Sequence, residues 1–180
     1  MSIDRSITRE SDSRRWRGAA TDREEYSDNY LLEILRTCRV IAMVGASPNW
    51  NRPSYFAMKY LQTKGYRVVP VNAAAEGEIL GEKVYPRLTD LRFPIDVVDI
   101  FRKPEVVPSI VDHAICLGAK VVWMQLGLRH EAAGAKAERS GLKVVMNRCM
   151  KIEFGRLSGE LSWSGINSGV VSSRRRKLLA

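Results

Sequence analysis

Apolar residues in this 180-residue chain are grouped into five short, nearly uninterrupted runs separated by longer mixed segments. The runs are rich in β-branched residues, and most are bounded by Gly, Pro or Asn. A short run of this kind is typical of a strand buried on both faces of a parallel sheet. The predicted strands are Val40–Val44, Tyr66–Val71, Ile95–Phe101, Val121–Gln125 and Leu142–Met146.

Segments between these runs carry apolar residues at helical spacing, which indicates amphipathic helices. Asp28 is the predicted N-cap of the first helix, and Gly65, Gly118 and Gly141 follow the later ones, where glycine commonly ends a helix. The predicted helices are Asn29–Thr37, Pro53–Lys64, Pro104–Leu117 and Glu131–Ser140. Residues 72–91 are less regular, with a helical turn expected at 89–91, and residues 151–180 are expected to wrap the surface.

Alternation of strands and helices predicts an α/β fold. We expect a Rossmann-like open parallel sheet of about five strands with helices on both faces, because parallel strands need crossover connections. Residues 1–25 are rich in Arg, Ser and Asp and are expected to form a flexible arm. Residues 26–155 would form the domain, and 156–180 an extension with a basic tail at Arg174–Lys177.

Composition narrows the class of protein. Hydrophobic residues make up 45% and charged residues 27%, with a net charge of +9. No apolar run is long enough for a membrane span, and the polar N-terminus is not a secretory signal. Cys38, Cys116 and Cys149 are widely spaced, which predicts free thiols in a cytoplasmic protein and no metal site. The basic tail lacks interleaved aromatic residues, so no nucleic-acid partner is expected.

The strongest functional signal is the sequence Gly45-Ala46-Ser47, which follows the first strand and precedes a predicted helix. Ligands of open parallel sheets bind outside the carboxyl ends of the strands. Free amides and a helix dipole favour an anion there, so a phosphate-binding crevice is predicted. Ser47 could instead be an ordinary helix cap.

The loop chemistry argues against a dinucleotide. The second and third glycines of G-x-G-x-x-G are absent, and the second strand ends in Asn72 where an acidic residue would bind ribose. Arg52, Arg102 and Arg148 could present planar forks to phosphate oxygens, which suits a ligand with a pyrophosphate and an extra phosphate. A nicotinamide-dependent oxidoreductase with an atypical glycine loop remains the alternative.

A set of ordered motifs carries a specific resemblance. The motifs are Val44–Ser47 with Arg52–Ser54, Gly65–Val68, Pro70–Asn72, Ile79–Glu82, Val98–Arg102, Ala119–Lys120, Trp123–Gly127, Asn147–Cys149 and Lys151–Glu153. Over residues 30–160 the chain resembles the stand-alone CoA-binding domain family, which is similar to the CoA-binding domain of the succinyl-CoA synthetase alpha subunit. Ala73 departs from the family, in which many members carry Pro after Asn.

The resemblance implies coenzyme A, or an acyl-CoA, as the bound cofactor. It places the pyrophosphate at the loop after the first strand and at the start of the following helix, and adenosine beside the end of the second strand. The nucleotide would pack along the end of the third strand and pantetheine at the end of the fourth, and residues at the end of the fifth strand would close the rim. The implied binding residues are Gly45, Ala46, Ser47, Arg52, Pro53, Ser54, Val71, Asn72, Ile100, Phe101, Arg102, Gln125, Leu126, Gly127, Asn147, Arg148 and Cys149.

No catalytic constellation can be placed around this crevice, so a non-catalytic carrier, sensor or regulatory module is expected. His113 and His130 lack the histidine motif of the synthetase, and no phosphohistidine role is expected. A homodimer could form through strand edges or apolar residues of the last thirty positions.

Four side chains have open alternatives. Arg102 could pair with Glu105 or Asp99, and Arg148 with Glu153. Gln125 could satisfy buried backbone. Cys149 could have a lowered thiol pKa beside Arg148 and exchange with the CoA thiol, or it could be a half-buried inert thiol.

Overall fold

A five-stranded parallel sheet forms the centre of the computed structural model, which describes residues 26–158. The strands of the sheet are β1 (Val40–Val44), β2 (Arg67–Val71), β5 (Val97–Ile100), β6 (Val121–Met124) and β7 (Lys143–Val145), and β3 (Glu78–Ile79) and β4 (Glu82–Lys83) form a separate antiparallel hairpin. The helices are α1 (Asp28–Thr37), α2 (Pro53–Thr63), α3 (Val107–Cys116), α4 (Glu131–Arg139) and α5 (Met150–Leu157). The strand order β2-β1-β5-β6-β7 confirms the predicted Rossmann-like α/β fold.

Helices cover both faces of the sheet, each over its own hydrophobic cluster. On one face α1, α2 and α5 pack on side chains such as Ile41, Met43 and Trp123. On the other, α3 and α4 pack on the neighbouring positions, such as Ala42 and Val122. Alternate residues of each strand therefore enter different clusters, which explains why the strands read as continuous apolar runs.

Several boundaries differ from those predicted. Ser27, not Asp28, caps α1, because its side chain accepts a hydrogen bond from the Tyr30 amide. The expected helix from Pro104 begins as a 3₁₀ turn, Pro104–Val106, before α3. A second 3₁₀ turn, Leu88–Asp90, lies one residue before its expected position.

Helix α5 corrects the expectation that the chain is irregular after residue 150. It runs past residue 155, where the domain was expected to end. Buried Glu153 accepts hydrogen bonds from the Arg156 guanidinium, and Arg156 also pairs with Asp28 of α1 at 2.7 Å. The arm over 1–25 and the basic tail lie outside the described residues.

Tyrosine residues form hydrogen bonds with backbone N–H and C=O groups at both edges of the sheet. The Tyr30 hydroxyl donates to the Val144 carbonyl at 3.2 Å and accepts from the Val144 amide at 3.0 Å. The Tyr26 hydroxyl accepts from the Met146 amide at 2.8 Å. At the opposite edge, backbone of Tyr85 bonds on either side of Val71, next to β2. Both outer strands thus have partners beyond the sheet. Within residues 26–158, no helix has the length and apolar character needed to cross a bilayer.

Candidate functional site

A crevice of about 820 Å³ opens at the carboxyl ends of β1, β5 and β6. The chain continues from β1 to β2 on one side and later returns to β5 on the other, so the strand order reverses between β1 and β5. This is the switch point at which open parallel sheets bind ligands. The N-terminal turns of α2 and α5 complete the wall, and both present the positive end of a helix dipole to the crevice.

Gly45 brings two of these loops into direct contact. Its φ is +93°, and its amide donates to the Val71 carbonyl at 2.8 Å. A Cβ at this position would stand 2.4 Å from the Phe101 carbonyl oxygen and 2.8 Å from Cδ of Arg102. Only glycine tolerates both the dihedral and the approach, so the loop after β1 packs closely on the loop after β5.

The loop between β1 and α2 is held by its own polar side chains. Ser54 Oγ accepts from the Ser47 amide at 3.2 Å, and Ser47 Oγ accepts from the Asn49 amide at 3.2 Å. The alternative that Ser47 caps α2 is therefore wrong. Helix α2 begins after Arg52, which makes no side-chain cap, with Pro53 in its first turn. The Tyr55 and Phe56 amides donate to the Arg52 carbonyl, and no side chain caps the first turn, so the positive end of the α2 dipole remains suited to an external anion.

The charge of the crevice is entirely positive among the residues that line it. Arg52, Arg102 and Lys151 contribute cations, and no carboxylate lines the wall in the described part of the chain. Within residues 26–158 no ion pair engages Arg52 or Arg102, so the proposed pairing of Arg102 with Glu105 or Asp99 is not formed. These guanidinium groups are exposed and line the crevice, where they can bind an anion.

Six residues named from the sequence lie outside the lining of this crevice. They are Ala46, Val71, Asn72, Gly127, Asn147 and Arg148. The other eleven are brought together along its wall: Gly45, Ser47, Arg52, Pro53, Ser54, Ile100, Phe101, Arg102, Gln125, Leu126 and Cys149.

The polar members of the six brace the loops around the crevice. Asn72 Nδ2 donates to the Ala46 carbonyl at 2.7 Å, and Asn147 Oδ1 accepts from the Gly127 amide at 2.8 Å. Arg148 Nε lies 3.7 Å from Glu153 Oε1, which bears out the alternative pairing for this side chain. Each of these groups faces protein, so its contribution to the site is to hold the wall in place.

Sequence reasoning missed six lining residues: Asn51, Phe56, Ala57, Leu128, Lys151 and Ile152. Phe56 and Ala57 stand three and four positions after Pro53, on the same face of α2, so helical spacing could have identified them. Lys151 and Ile152 belong to α5, which the sequence did not predict. Phe56 and Leu126 are 49% and 57% exposed and give the crevice an apolar rim.

A buried carboxyl lies directly behind the wall. Asp99 of β5 is fully buried, and its Oδ1 accepts from Gln125 Nε2 at 2.7 Å. The other carboxyl oxygen, Oδ2, has no hydrogen-bond partner among the described residues. Burial raises the pKa of Asp99 to about 7, although hydrogen bonding from the Gln125 side chain and from the Ile100 backbone opposes the shift. Gln125 thus donates its hydrogen bond to the side chain of Asp99, and the alternative that it hydrogen-bonds to buried backbone groups is wrong.

Cys149 also lines the crevice. Burial raises its thiol pKa, and the nearby charge of Asp99 acts in the same direction. The expectation of a lowered pKa beside Arg148 is therefore wrong. The backbone N–H groups of Ile152 and Lys151, in the first turn of α5, oppose the increase, as amides at a helix N-terminus favour a thiolate.

The histidines stand apart from this crevice. His130 Nδ1 accepts from the Ala133 amide at 3.2 Å and caps α4, and His113 lies exposed in α3. No cluster of three or more potential metal-ligating side chains occurs in the portion of the chain from 26 to 158.

Comparison with known proteins identifies relatives of this arrangement. A family model described as a CoA binding domain matches residues 39–155. Uncharacterized protein YneT of Bacillus subtilis (strain 168) is 36% identical over 120 residues, covering 67% of this chain and 88% of YneT. A solved hypothetical protein from Pyrococcus horikoshii OT3 is 45% identical with a TM-score of 0.72, covering 76% of this chain and 95% of that one.

Part of a larger enzyme is also similar. Acetate–CoA ligase [ADP-forming] II of Archaeoglobus fulgidus is 29% identical over 119 residues, which span 64% of this chain but 17% of the ligase. The resemblance stated from the sequence is confirmed by these matches. With a matching model over most of its length, the chain belongs to the CoA-binding domain family.

Proposed function

We propose that the crevice binds coenzyme A or an acyl-CoA and that the chain acts as a non-catalytic carrier, sensor or regulatory module. The observation that carries the proposal is a wall with three cations, no carboxylate among its described residues, and two helix N-termini. A ligand with a pyrophosphate and a further phosphate matches that charge. The family to which the chain belongs supplies the identity of the nucleotide.

The residues present fit such a ligand. Gly45 lets the loop after β1 pack closely on the loop after β5 at the crevice, and Arg52, Arg102 and the uncapped first turn of α2 would hold a diphosphate there. The apolar rim at Phe56 and Leu126 suits the less polar pantetheine arm. Coenzyme A supplies a thiol that carries acyl groups as thioesters, and the protein would bind and orient this group.

The proposal assigns no catalysed reaction to this chain. The similar ligase segment is 17% of that enzyme, so its name describes the ligase and lends only the nucleotide-binding part to this proposal. Around the crevice, the described residues offer no nucleophile–histidine–carboxylate set. The nicotinamide alternative is weaker, because Asn72 bonds to the Ala46 carbonyl where a ribose-binding acid is expected.

Titration calorimetry with three ligands tests the proposal. Coenzyme A should bind, dephospho-CoA should bind roughly tenfold more weakly for want of a charged contact, and NAD should give no measurable heat. Absence of binding by coenzyme A and by acetyl-CoA would refute the proposal. Tighter binding of NAD than of coenzyme A would favour the oxidoreductase.

A further inference from the structure

The cations of the crevice give no reason for the buried carboxyl of Asp99. Its side chain is fully buried in the sheet, where Met43 of β1 and Trp123 of β6 are its cross-strand neighbours. Oδ2 has no hydrogen-bond partner among the described residues, and no ion pair within residues 26–158 includes Asp99. A carboxyl buried in this way destabilises the fold, because desolvation is not offset at the unpartnered oxygen. Such a group is a candidate for a role in the neighbouring site.

The side chain that hydrogen-bonds to Asp99 belongs to the crevice wall. Gln125 follows β6 two positions after Trp123, the cross-strand neighbour of Asp99, so the side chains of Gln125 and Asp99 lie on the same face of the sheet. Gln125 Nε2 donates to Asp99 Oδ1 at 2.7 Å. Gln125 lines the crevice and Asp99 does not. Asp99 can therefore influence a ligand through the position of Gln125.

This bond determines which end of the Gln125 carboxamide is left for a ligand. A carboxylate only accepts hydrogen bonds, so it must face the NH₂ group of the glutamine. With a pKa of about 7 Asp99 is partly protonated near neutral pH, but a proton on the unpartnered Oδ2 still leaves Oδ1 as an acceptor. No hydrogen bond from the described residues reaches Gln125 Oε1, and Oε1 is not among the side-chain atoms buried without a partner. This oxygen is therefore an acceptor open to the crevice.

Within residues 26–158, two buried polar side chains line the crevice, those of Ser54 and Gln125. Ser54 Oγ accepts from the Ser47 amide at the start of α2, beside the position proposed for the diphosphate. Gln125 lies two strands away, at the end of β6. It directly precedes Leu126, whose exposed side chain belongs to the apolar rim proposed for the pantetheine arm.

The chemistry of the ligand limits what Oε1 can bind. Phosphate oxygens are acceptors and do not pair with another acceptor. The pantetheine arm has two secondary amides, and each offers an N–H donor. An amide N–H that leaves water for an apolar part of the crevice requires an acceptor there, because an unpaired buried donor is unfavourable.

We propose that Gln125 Oε1 accepts a hydrogen bond from an amide N–H of the pantetheine arm, and that Asp99 is the positioning residue that holds the Gln125 carboxamide in the required orientation. This inference rests on the proposed function, because a CoA-class ligand must first occupy the crevice. Recognition of the amide makes the crevice selective for ligands that carry the arm over the nucleotide alone.

Titration calorimetry with and without the arm tests the contact. ADP 3′-phosphate is coenzyme A without its pantetheine arm and keeps every phosphate. Gln125→Leu should weaken binding of coenzyme A by a factor of roughly five, which corresponds to one net hydrogen bond, and should leave binding of ADP 3′-phosphate unchanged. Acetyl-CoA should lose the same factor, because acylation of the sulfur leaves both amides intact.

Gln62→Leu is the matched control. Gln62 of α2 lies outside the crevice lining, and its Nε2 donates to the Leu80 carbonyl at 3.3 Å. The variant loses the same kind of side chain and a hydrogen bond, and both affinities should stay as in wild type.

Variants of Asp99 test its positioning role. Asp99→Leu removes the acceptor that orients Gln125, so either end of the carboxamide can face the crevice. Coenzyme A should then bind roughly threefold more weakly, with ADP 3′-phosphate unaffected. Asp99→Asn keeps an oxygen acceptor and should restore most of the lost affinity. Asp99→Ala removes the acceptor with less bulk and carries the same test where leucine prevents folding.

Stability separates positioning from a structural role. At pH 8 the buried carboxyl of wild type is mostly ionised, since its pKa is about 7. Thermal unfolding should therefore show Asp99→Leu to be at least as stable as wild type, because the uncompensated buried charge is gone. Affinity for the arm falls while stability does not, a combination that loss of structure alone would not produce.

The outcomes distinguish this inference from the proposed function. Binding of coenzyme A by wild type, with Gln125→Leu weakening both ligands equally or neither, would overturn the contact with the arm and leave the proposed function intact. A loss for coenzyme A that acetyl-CoA does not share would place the thiol at Oε1 and overturn the assignment to an amide. Unchanged affinity for coenzyme A in folded Asp99→Leu or Asp99→Ala would overturn the positioning role. No binding of coenzyme A or acetyl-CoA by wild type would remove both proposals.

Discussion

The carbonyl oxygen of Phe101 lies 2.4 Å from the point where a Cβ of residue 45 would stand, so Gly45 and Phe101 touch backbone to backbone. The Phe101 amide also donates to the Val44 carbonyl at 2.8 Å. The loops after β1 and β5 are therefore fixed relative to each other at the switch point of the sheet. A crevice that depends on this contact should be sensitive to a single added methyl group.

Gly45→Ala should lower both stability and ligand affinity. The substitution adds a left-handed φ strain of roughly 1–2 kcal/mol and forces apart two loops that line the crevice. Gly65→Ala is the matched control, because Gly65 has a φ of +85° but no atom within 4 Å of its added Cβ. Urea unfolding should show the larger loss for Gly45→Ala, and calorimetry should show lost affinity only there. Equal losses for the two variants would mean that the contact with Phe101 is unimportant.

Arg52→Ala and Arg102→Ala should each weaken binding of coenzyme A, by roughly 1.5–3 kcal/mol where a charged hydrogen bond is lost. Both guanidinium groups line the crevice without an ion pair in the region 26–158, so their removal leaves no buried partner charge. Stability should change little. Calorimetry at two salt concentrations measures the effect, since charge contacts weaken with ionic strength.

Arg139→Ala is the control for these two variants. Arg139 is exposed in the last turn of α4, just before β7 begins. The start of β7 lies at the amino ends of the parallel strands, whereas the crevice lies at their carboxyl ends. The variant carries the same change in net charge without touching the crevice. A similar loss of affinity for all three variants would show that the general charge of the protein, and not the crevice, attracts the ligand.

Asp99→Asn should change how stability depends on pH. The folded pKa of Asp99 is raised to about 7 from 3.8, so between these values the folded state holds a proton that the unfolded state loses. Stability of the wild type should therefore fall as pH rises across this window, on the order of 1.4 kcal/mol for each unit of pKa displacement.

The Asn variant lacks that titration, so the variant should gain stability relative to wild type as the pH rises. Urea unfolding at closely spaced pH values measures the difference. Asn at position 99 can still accept from Gln125, which keeps the neighbouring bond. A difference that is constant with pH would contradict the raised pKa of Asp99.

Tyr30→Phe should destabilise the fold by about 1–3 kcal/mol, because it removes hydrogen bonds to both backbone groups of Val144. Tyr55→Phe is the control, since the Tyr55 hydroxyl makes no hydrogen bond within the described residues and Tyr55 packs only at the margin of the core. Thermal unfolding compares the two. A loss for Tyr55→Phe as large as that for Tyr30→Phe would contradict a specific role at the edge of the sheet.

The strands could be predicted from the sequence because burial on both faces leaves an unbroken apolar run. Val40–Val44 was predicted at its observed bounds, and the other strands differ by one or two residues at their ends. Helix α5 was missed because its short sequence includes a glycine, which is unfavourable within a helix, and a glutamate at a buried position, where an apolar residue would be expected. Its stability depends on Arg156 and Asp28, a tertiary contact that periodicity does not report.

The sequence predicted which loops surround the candidate site, because the topology of the sheet decides this, but it did not predict which side chains point into the crevice. Residues at the carboxyl ends of strands do meet around one crevice, but the direction of each side chain depends on loop conformation. Asn147 has a φ of +55° and turns its carboxamide to the Gly127 amide, and Asn72 turns to the Ala46 carbonyl. The electrostatic effect of Asp99 on the pKa of Cys149 was likewise hidden, because residues fifty positions apart come near each other only once the sheet has formed.

The tyrosine hydroxyls at β7 bear on how copies of this protein could assemble. A strand of a neighbouring molecule could not pair fully with β7, because the amide and carbonyl of Val144 and the amide of Met146 are already hydrogen-bonded to tyrosine hydroxyls. Self-association by adding a sixth strand there would first have to expel two stacked aromatic rings. Fibre-like growth along this edge is therefore opposed by the fold itself.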